Sequence, residues 1–126
     1  MDPAAGATIL VVDDEQPLLD LLVSYLARLG YQVEACASSQ EALRRVRERP
    51  SEYALLFTDA KMPDMGGLEL ITKVTELNPG VRVVLTSGSP VGIPAVLPGR
   101  AGKSKFLQKP YVPAELADLV KALLQS

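Results

Sequence analysis

Five short apolar runs alternate along this chain with longer segments in which apolar residues recur three and four positions apart. The short runs predict strands and the longer segments predict helices. Strict alternation of the two is typical of a parallel sheet covered by helices on both faces. The sequence therefore predicts an α/β domain with five strands, at residues 8–12, 32–37, 53–58, 81–86 and 106–108.

Capping residues and helix breakers place the ends of the predicted helices. Gly30 is expected to end the first helix, Ser38 opens a capping box (SSQE) for the second, and Pro113 suits the first turn of the last. Leu19 and Val23 are expected to lie beyond the buried stripe of the first helix. The residues predicted to form that stripe are Leu18, Leu22, Tyr25, Leu26 and Leu29.

The segment 88–102 interrupts the alternation. It carries three prolines and four glycines at the place where a fourth helix is expected. An interior proline costs a helix about 3 kcal/mol and an interior glycine about 1 kcal/mol. We therefore expect the fourth helix to be shortened or replaced by a loop.

Composition excludes several kinds of chemistry. The 126 residues include no histidine, which rules out Ser-His-Asp and Cys-His catalysis, histidine-ligated metals and a phosphohistidine carrier. The single cysteine, Cys36, can form neither an internal disulfide nor a multi-cysteine zinc site. A net charge of -2 gives no broad attraction to nucleic acid or to an anionic membrane, so we expect a protein partner.

The same features bound the organisation of the chain. One domain is expected at this length with 48% hydrophobic residues, at residues 8–126, preceded by a flexible tail or linker at residues 1–7. The N-terminus lacks a basic start followed by a hydrophobic region, and no apolar stretch is long enough to cross a bilayer. Together with the lone cysteine, these features predict a cytoplasmic location.

Three carboxylates follow two of the predicted strands. Asp13 and Asp14 come directly after the first strand, and Asp59 directly after the third. In an open parallel sheet of order 2-1-3-4-5, strands 1 and 3 are neighbours and the ligand site lies beyond their carboxyl ends. Like charges so close repel unless a proton or a divalent cation intervenes, so the cluster predicts a hard-cation site. With Lys109 after the fifth strand, these groups could hold and transfer a phosphoryl group.

Four short segments at strand ends, taken in order and spacing, resemble a known family. They are 12–14 (VDD), 59–67 (DAKMPDMGG), 86–88 (TSG) and 109–110 (KP). From Thr8 to about Leu124 the chain resembles the receiver domain of bacterial response regulators, the CheY-like domains of two-component and phosphorelay systems. The resemblance implies a flavodoxin-like (βα)5 fold, a doubly wound parallel sheet of order 2-1-3-4-5, here with helix 4 shortened or replaced by a loop.

The resemblance also implies a role for each acid. Asp59 corresponds to the phosphoacceptor, which takes a phosphoryl group from a phosphohistidine on a histidine kinase or histidine phosphotransfer protein. Asp13 and Asp14 correspond to the pair that holds Mg²⁺, with Asp59 and the backbone carbonyl of Lys61 completing the protein ligands. Such a domain is not a classical enzyme, although it catalyses its own phosphorylation and slow dephosphorylation.

Two further residues correspond to groups that contact the phosphoryl oxygens. Lys109 supplies a positive charge and Ser87 a hydroxyl donor. Ser87 is preferred to Thr86 because the family's hydroxyl residue precedes a small residue, and a glycine follows Ser87. The bond from Lys109 to the following proline corresponds to the family's cis peptide, which would aim the lysine.

The resemblance implies a two-state switch as well. On phosphorylation, Ser87 would move toward the phosphoryl group and Phe106, the aromatic residue of the fifth strand, would turn inward. Phenylalanine lacks the hydroxyl that relatives often have there, so we expect Phe106 to lie inward even without phosphorylation. The altered fourth helix lies where many relatives dimerise or bind targets, so phosphoryl relay or an unusual contact with a downstream protein is expected.

Other assignments remain open at this point. Asp14 could merely cap the first helix, Ser87 could be a turn residue and Lys109 a solvent-facing lysine. An aspartate-nucleophile phosphatase is a second function, although such enzymes typically place another acid where Lys61 stands. A flavodoxin-like nucleotide binder is disfavoured by the acids after the first strand. A degenerate receiver that acts only as a protein-binding module is the third alternative.

Overall fold

The computed structural model of the protein describes residues 7–88 and 103–125. The described strands are β1 (Thr8–Val12), β2 (Gln32–Cys36), β3 (Leu55–Asp59), β4 (Arg82–Ser87) and β5 (Ser104–Gln108). The described helices are α1 (Gln16–Arg28), α2 (Ser39–Glu48), α3 (Gly67–Leu77) and α4 (Pro113–Leu124). All strand pairs are parallel, and the five strands form one sheet in the order β2-β1-β3-β4-β5.

This architecture confirms the predicted doubly wound α/β fold and its strand order. Val12 pairs with Cys36 on one side and with Thr58 on the other, which places β1 between β2 and β3. Every strand lies within two residues of its predicted bounds. We expected a shortened helix or a loop at residues 88–102, between β4 and β5. Apart from Gly88, these residues lie outside the described part of the chain.

Two apolar clusters on opposite faces of the sheet form the core. Alternate side chains of a strand point to opposite faces, so Leu10 and Val12 join the cluster beneath α2 and α3, whereas Ile9 and Val11 join the cluster beneath α1 and α4. All four side chains are fully buried. Burial of each such side chain stabilises the fold by about 1.5–3 kcal/mol. The central strands are thereby held from both faces.

The buried stripe of α1 differs from the predicted one. Leu18 and Tyr25 are only half-buried and Leu29 is exposed, whereas Leu19 belongs to the core, so the expectation that Leu19 lies beyond the stripe is wrong. Apolar residues point in most directions around the first two turns of this helix, so their spacing alone cannot decide which side packs on the sheet. The fully packed side chains of α1 are Leu19, Leu22 and Leu26.

Local backbone chemistry sets the helix ends. Gly30 follows α1 with a φ of 99°, in the left-handed region that only glycine adopts without strain. The hydroxyl of Ser38 accepts a hydrogen bond from the Glu41 amide at 3.2 Å, as the predicted capping box requires. The Glu41 carboxylate instead accepts from Arg45 at 3.2 Å, so only half of the box forms.

A polar network fastens the edge strand β2 to α2. Glu34 Oε1 accepts hydrogen bonds from Arg45 Nη1 at 3.1 Å, from Arg49 Nη2 at 2.9 Å and from the Tyr53 hydroxyl at 2.9 Å. Burial disfavours the charge on Glu34, but the bonds from Tyr53 and the arginines outweigh it and lower the pKa of the carboxyl. Arg45 of α2 and Arg49, the residue that follows the helix, therefore stabilise the fold.

The buried cysteine and the N-terminal end of the sheet complete the description of the fold. Cys36 is 1% exposed, and this burial raises the pKa of its thiol to about 11. Residues 1–6 of the predicted tail lie outside the described residues, but Ala7 is held to the sheet because its carbonyl accepts from the Gln32 amide at 2.9 Å.

No described helix has both the length and the apolar character needed to span a membrane.

Candidate functional site

The carboxyl ends of three neighbouring strands bring the predicted site residues to one edge of the sheet. Asp13 directly follows β1, and Asp59 and Ser87 are the last residues of β3 and β4. Because Val12 pairs with Thr58, Asp13 and Asp59 leave neighbouring strands at the same level. The parallel sheet therefore converts distant sequence positions into one cluster.

The three predicted carboxylates converge. One oxygen from each of Asp13, Asp14 and Asp59 lies within 4.8 Å of the other two. Asp13 is fully buried and Asp59 is 7% exposed, whereas Asp14 faces solvent. Three carboxylate oxygens without sulfur or imidazole suit Mg²⁺ better than zinc or copper, so the donor set fits the predicted hard cation. Asp14 does not cap α1, whose N-cap residue is Glu15 with no side-chain bond to the helix.

Lys109 forms salt bridges with Asp13, after β1, and with Asp59, at the end of β3. Its Nζ lies 3.1 Å from Asp59 Oδ2, 3.3 Å from Asp13 Oδ2 and 3.9 Å from Glu15 Oε1. Burial disfavours the ammonium charge, but the hydrogen bond with Asp59 and the charge of Asp13 outweigh it and raise the pKa of Lys109. The side chain is 20% exposed, so Lys109 is not a solvent-facing lysine. Its bond to Pro110 is cis, as predicted.

The end of β4 carries two buried hydroxyl residues. The carbonyl of Ser87 accepts from the Lys109 amide at 2.8 Å, and that of Thr86 accepts from the Ala60 amide at 2.8 Å. These bonds tie β4 to the chain segments that carry Lys109 and Asp59. Within the described residues, Thr86 Oγ1 has no hydrogen-bond partner. The role predicted for the Ser87 hydroxyl stays a prediction.

A tight loop, residues 60–66, connects Asp59 to α3. The Lys61 amide lies 3.4 Å from Asp59 Oδ1, and the Gly67 amide donates to the Ala60 carbonyl at 2.9 Å. A Cβ on Gly67 would overlap the Asp59 carbonyl oxygen and come within 3.0 Å of the Ala60 Cα. The glycine at the start of α3 therefore permits the close packing that orients Asp59. A ligand role for the Lys61 carbonyl stays a prediction.

Phe106, the predicted switch residue, lies opposite Leu85 in the pairing of β4 with β5. It is half-buried and packs against the core cluster beneath α2 and α3. Its ring therefore contacts this core cluster. The predictions that Phe106 lies inward without phosphorylation and moves on phosphorylation stay predictions.

Two residues near the acids were missed by the sequence analysis. The Glu15 amide donates to Asp13 Oδ1 at 2.9 Å, which fixes the orientation of the buried carboxylate. Tyr111 packs edge to face on Phe57, and burial, with the charges of Asp13 and Asp59, raises the pKa of its hydroxyl to about 12. Glu15 could have been found because it extends the acidic pair by one residue. The sequence carries no comparable sign for Tyr111.

An apolar groove of about 590 Å³ opens between α1 and the start of α4, beside the acids. Lys109 and Glu15 belong to its wall and also to the acidic site. Leu21, on the rim, is 63% exposed. The remaining lining residues are Leu18, Leu22, Tyr25, Gly88, Pro110, Tyr111, Pro113 and Leu116.

Comparison with known proteins agrees with this geometry. A family model, the response regulator receiver domain, matches residues 9–121. The chain belongs to this family. Receiver domains are signalling modules of two-component systems rather than classical enzymes. They interact with histidine kinases or phosphotransfer proteins, and they bind Mg²⁺ at an acidic pocket.

Relatives of this receiver domain occur in longer proteins. It is 34% identical over 97% of its length to the DNA-binding transcriptional regulator NtrC of Azospirillum brasilense, and covers 25% of that protein. It is 33% identical over 98% of its length to the sensor kinase CckA of Brucella abortus (strain 2308), and covers 13% of that protein. The chain thus spans a quarter or less of these two curated relatives.

Solved structures of receiver domains are also similar to this chain. A CheY-like receiver domain protein from Methanospirillum hungatei JF-1 matches with a TM-score of 0.85 and 31% identity, over 96% of this chain and 95% of that one. The receiver domain of the hybrid histidine kinase CckA matches with a TM-score of 0.80 and 30% identity, over 94% and 100% of the two chains. The similarity therefore extends across almost the whole domain.

Proposed function

We propose that this receiver domain accepts a phosphoryl group on Asp59 from a phosphohistidine of a histidine kinase or histidine phosphotransfer protein. The observation that carries the proposal is the position of the Lys109 ammonium, within 3.3 Å of carboxylate oxygens from both Asp59 and Asp13. A buried acid beside a fixed cation suits a nucleophile that must approach an anionic phosphoryl group.

In the proposed step, an oxygen of Asp59 attacks the phosphorus atom. A P–O bond forms and the P–N bond breaks, with its electron pair leaving on the imidazole nitrogen. Lys109 offsets the negative charge of the phosphoryl oxygens, and the Ser87 hydroxyl donates a hydrogen bond to one of them. These groups chiefly align the reactants and stabilise charge, which is most of what phosphoryl transfer requires.

Mg²⁺ would be held by Asp13, Asp14 and Asp59, with the Lys61 carbonyl as a further ligand. Bound there, the ion would supply positive charge that offsets the repulsion of the acceptor carboxylate and the phosphoryl oxygens. The convergence of the three carboxylate oxygens supports this part of the proposal. A cation held there would also explain why three acids lie so close together at the edge of the sheet, since like charges otherwise repel.

The proposal extends to signalling by the domain. Phosphorylation draws Ser87 toward the phosphoryl group and fixes Phe106 in its inward position, and a downstream protein reads the changed surface. Residues 8–126 act as the receiver unit and residues 1–7 as a tail or linker. We place this activity in the cytoplasm, where phosphohistidine donors of two-component systems act.

Phosphorylation by a small donor tests the proposal. The chain is incubated with Mg²⁺ and acetyl phosphate, and its intact mass is measured for wild type, Asp59→Asn and the control Asp118→Asn. Asp118 is an exposed acid on α4, so the control removes an equal charge away from the site. One added phosphoryl group is expected in wild type and control, and none in Asp59→Asn.

Other outcomes would favour the rival functions. Retention of the phosphoryl group by Asp59→Asn would move the acceptor to another residue. Sustained turnover of generic phosphate esters would favour the phosphatase. Absence of any phosphorylation in a folded wild-type protein that still binds a kinase would favour the degenerate receiver.

A further inference from the structure

A carboxylate from the β3–α3 loop reaches across to the first turn of α2. Asp64 Oδ2 accepts hydrogen bonds from the Ser38 hydroxyl at 2.8 Å and from the Gln40 amide at 2.8 Å. Asp64 Oδ1 accepts from the Ser39 amide at 3.2 Å. These amides belong to the first turn of a helix and have no partner within it. The N-terminus of α2 thus receives a negative charge from a distant part of the chain.

A second bond fastens the same loop. The Ser39 hydroxyl donates to the Met65 carbonyl at 2.8 Å, and Ser39 is fully buried. Met62 and Met65, each 8% exposed, pack into the core cluster beneath α2 and α3. The loop is therefore held by four hydrogen bonds at Asp64 and Met65, and by the buried side chains of Met62 and Met65.

The earlier half of the loop is closed at its other end. The Gly67 amide bonds the Ala60 carbonyl, and the Lys61 amide lies against the Asp59 carboxylate. Lys61 therefore stands between the closure at Ala60 and the anchor at Asp64. Its carbonyl is the one proposed metal ligand that belongs to the loop backbone rather than to a side chain at a strand end.

We propose that Asp64 is a positioning residue for the metal and phosphoryl-transfer site. By tying the β3–α3 loop to α2, its carboxylate holds the backbone at Lys61 in place before the ion arrives. A ligand that is already ordered loses less conformational entropy on binding. The inference rests on the proposed function, because the ligand role of Lys61 belongs to that function.

Ser38 offers a matched comparison that separates positioning from helix capping. The Ser38 hydroxyl donates to Asp64 and also accepts from the Glu41 amide. Ser38→Ala therefore removes a cap of α2 but leaves the two bonds from the amides of Ser39 and Gln40 to Asp64. If Asp64 only stabilised α2, substitution of either residue would have the same consequences.

The experiment measures Mg²⁺ binding to the whole chain by calorimetric titration, beside the midpoint of urea unfolding. The variants are Asp64→Ala, Asp64→Asn, Ser38→Ala and the exposed control Asp118→Ala. Loss of a residue that orients a metal ligand weakens metal affinity by about tenfold or more, which is expected for Asp64→Ala. Asp64→Asn keeps one acceptor oxygen, so a smaller loss of Mg²⁺ affinity than in Asp64→Ala is expected.

The two remaining variants decide how the result is interpreted. Ser38→Ala is expected to lower the unfolding midpoint but to keep the wild-type Mg²⁺ affinity, and Asp118→Ala to keep both. If Asp64→Asn and folded Asp64→Ala both bind Mg²⁺ as tightly as wild type, the inference is overturned and Asp64 is only a helix cap. Equal loss of affinity in Ser38→Ala would overturn it too. Failure of the wild type itself to bind Mg²⁺ would instead refute the metal site of the proposed function, and this inference with it.

Discussion

At the scale of single residues, two adjacent hydroxyls at the end of β4 have different surroundings. Thr86 is fully buried, and its Oγ1 has no hydrogen-bond partner among the described residues. Ser87 is 3% exposed and ends the strand beside Lys109. Neighbouring side chains of a strand point to opposite faces, so only one of the two hydroxyls can serve the acidic site.

A pair of substitutions distinguishes them. Ser87→Ala is expected to slow phosphorylation by acetyl phosphate at least about tenfold, because a donor to the phosphoryl oxygens is lost. Thr86→Val is expected to keep the rate and to raise the free energy of unfolding by about 1 kcal/mol, because an unpartnered buried hydroxyl is removed. Phosphorylation kinetics and urea unfolding measure both effects. The reverse pattern of rates would assign the donor to Thr86.

The residues of the site could be predicted to different extents. Asp13 and Asp59 could be located because they directly follow strands, whose parallel pairing fixes where they meet. Tyr111 could not, because its position depends on the path of the chain after Lys109, which no nearby periodicity encodes. Asp64 lies within a recognised segment, but its partners in α2 are known only from the folded contacts.

At the scale of elements, the junction of β3 and α3 depends on a glycine. The space at Gly67 is filled by the backbone of Asp59 and Ala60, neither of which can move without shifting the strand. At Gly66 the nearest atom to an added Cβ is the Ala60 carbonyl oxygen at 3.8 Å, an ordinary contact. Adjacent glycines therefore differ sharply in their tolerance of a side chain.

Alanine substitution is expected to reveal this difference. Gly67→Ala should lower the free energy of unfolding by about 2 kcal/mol or more, because backbone must be displaced. Gly66→Ala should change it by no more than about 1 kcal/mol, since the contact is unstrained. Urea denaturation of both variants provides the measurement. Equal stabilities would mean that the loop can move away from Gly67 at little cost.

The network that joins β2 to α2 should make stability depend on pH. The pKa of Glu34 is lowered in the folded state, so its contribution to stability is present at neutral pH and is lost as pH falls through the folded value. The stability difference between wild type and Glu34→Gln should therefore shrink between neutral pH and about pH 3. Urea midpoints across that range measure it, with Glu76→Gln, an exposed acid on α3, as control. A difference that stays constant with pH would contradict the prediction.

Element positions were easier to predict than element faces. Strand bounds could be predicted to within two residues because the apolar runs are bounded by polar residues, glycines or prolines. The buried side of α1 could not, because Leu18, Leu19 and Leu21 are all apolar and only contacts with the sheet and α4 choose among them. The predicted start of β5, Phe106, is two residues later than the observed one. Ser104 and Lys105 are polar residues of an edge strand, so they do not extend the apolar run.

At the scale of the whole molecule, binding at the sheet edge should stabilise the fold. An ion that binds only the native state raises the free energy of unfolding, by about 2.7 kcal/mol at a concentration 100 times its Kd. The unfolding midpoint of wild type should therefore rise with Mg²⁺. Asp14→Asn, which alters an exposed acid, should keep the fold but lose most of the rise, whereas Asp118→Asn should keep it. An equal rise in all three proteins would place the ion elsewhere.

The overall topology followed from sequence because alternating strands and helices, joined by right-handed crossovers, permit few arrangements. The groove between α1 and α4 did not follow, since it depends on how far Leu21 and Tyr25 stand from the start of α4. Surfaces of this kind arise from packing distances, which periodicity does not contain.

The burial of Cys36 has a practical consequence for spectroscopy. Alkylating dyes react with thiolates, and a thiol that is 1% exposed with a pKa of about 11 offers almost none at neutral pH. The sequence also contains no tryptophan. A cysteine introduced on an outer helix face would thus accept a fluorophore selectively in the native protein, against a background free of indole emission.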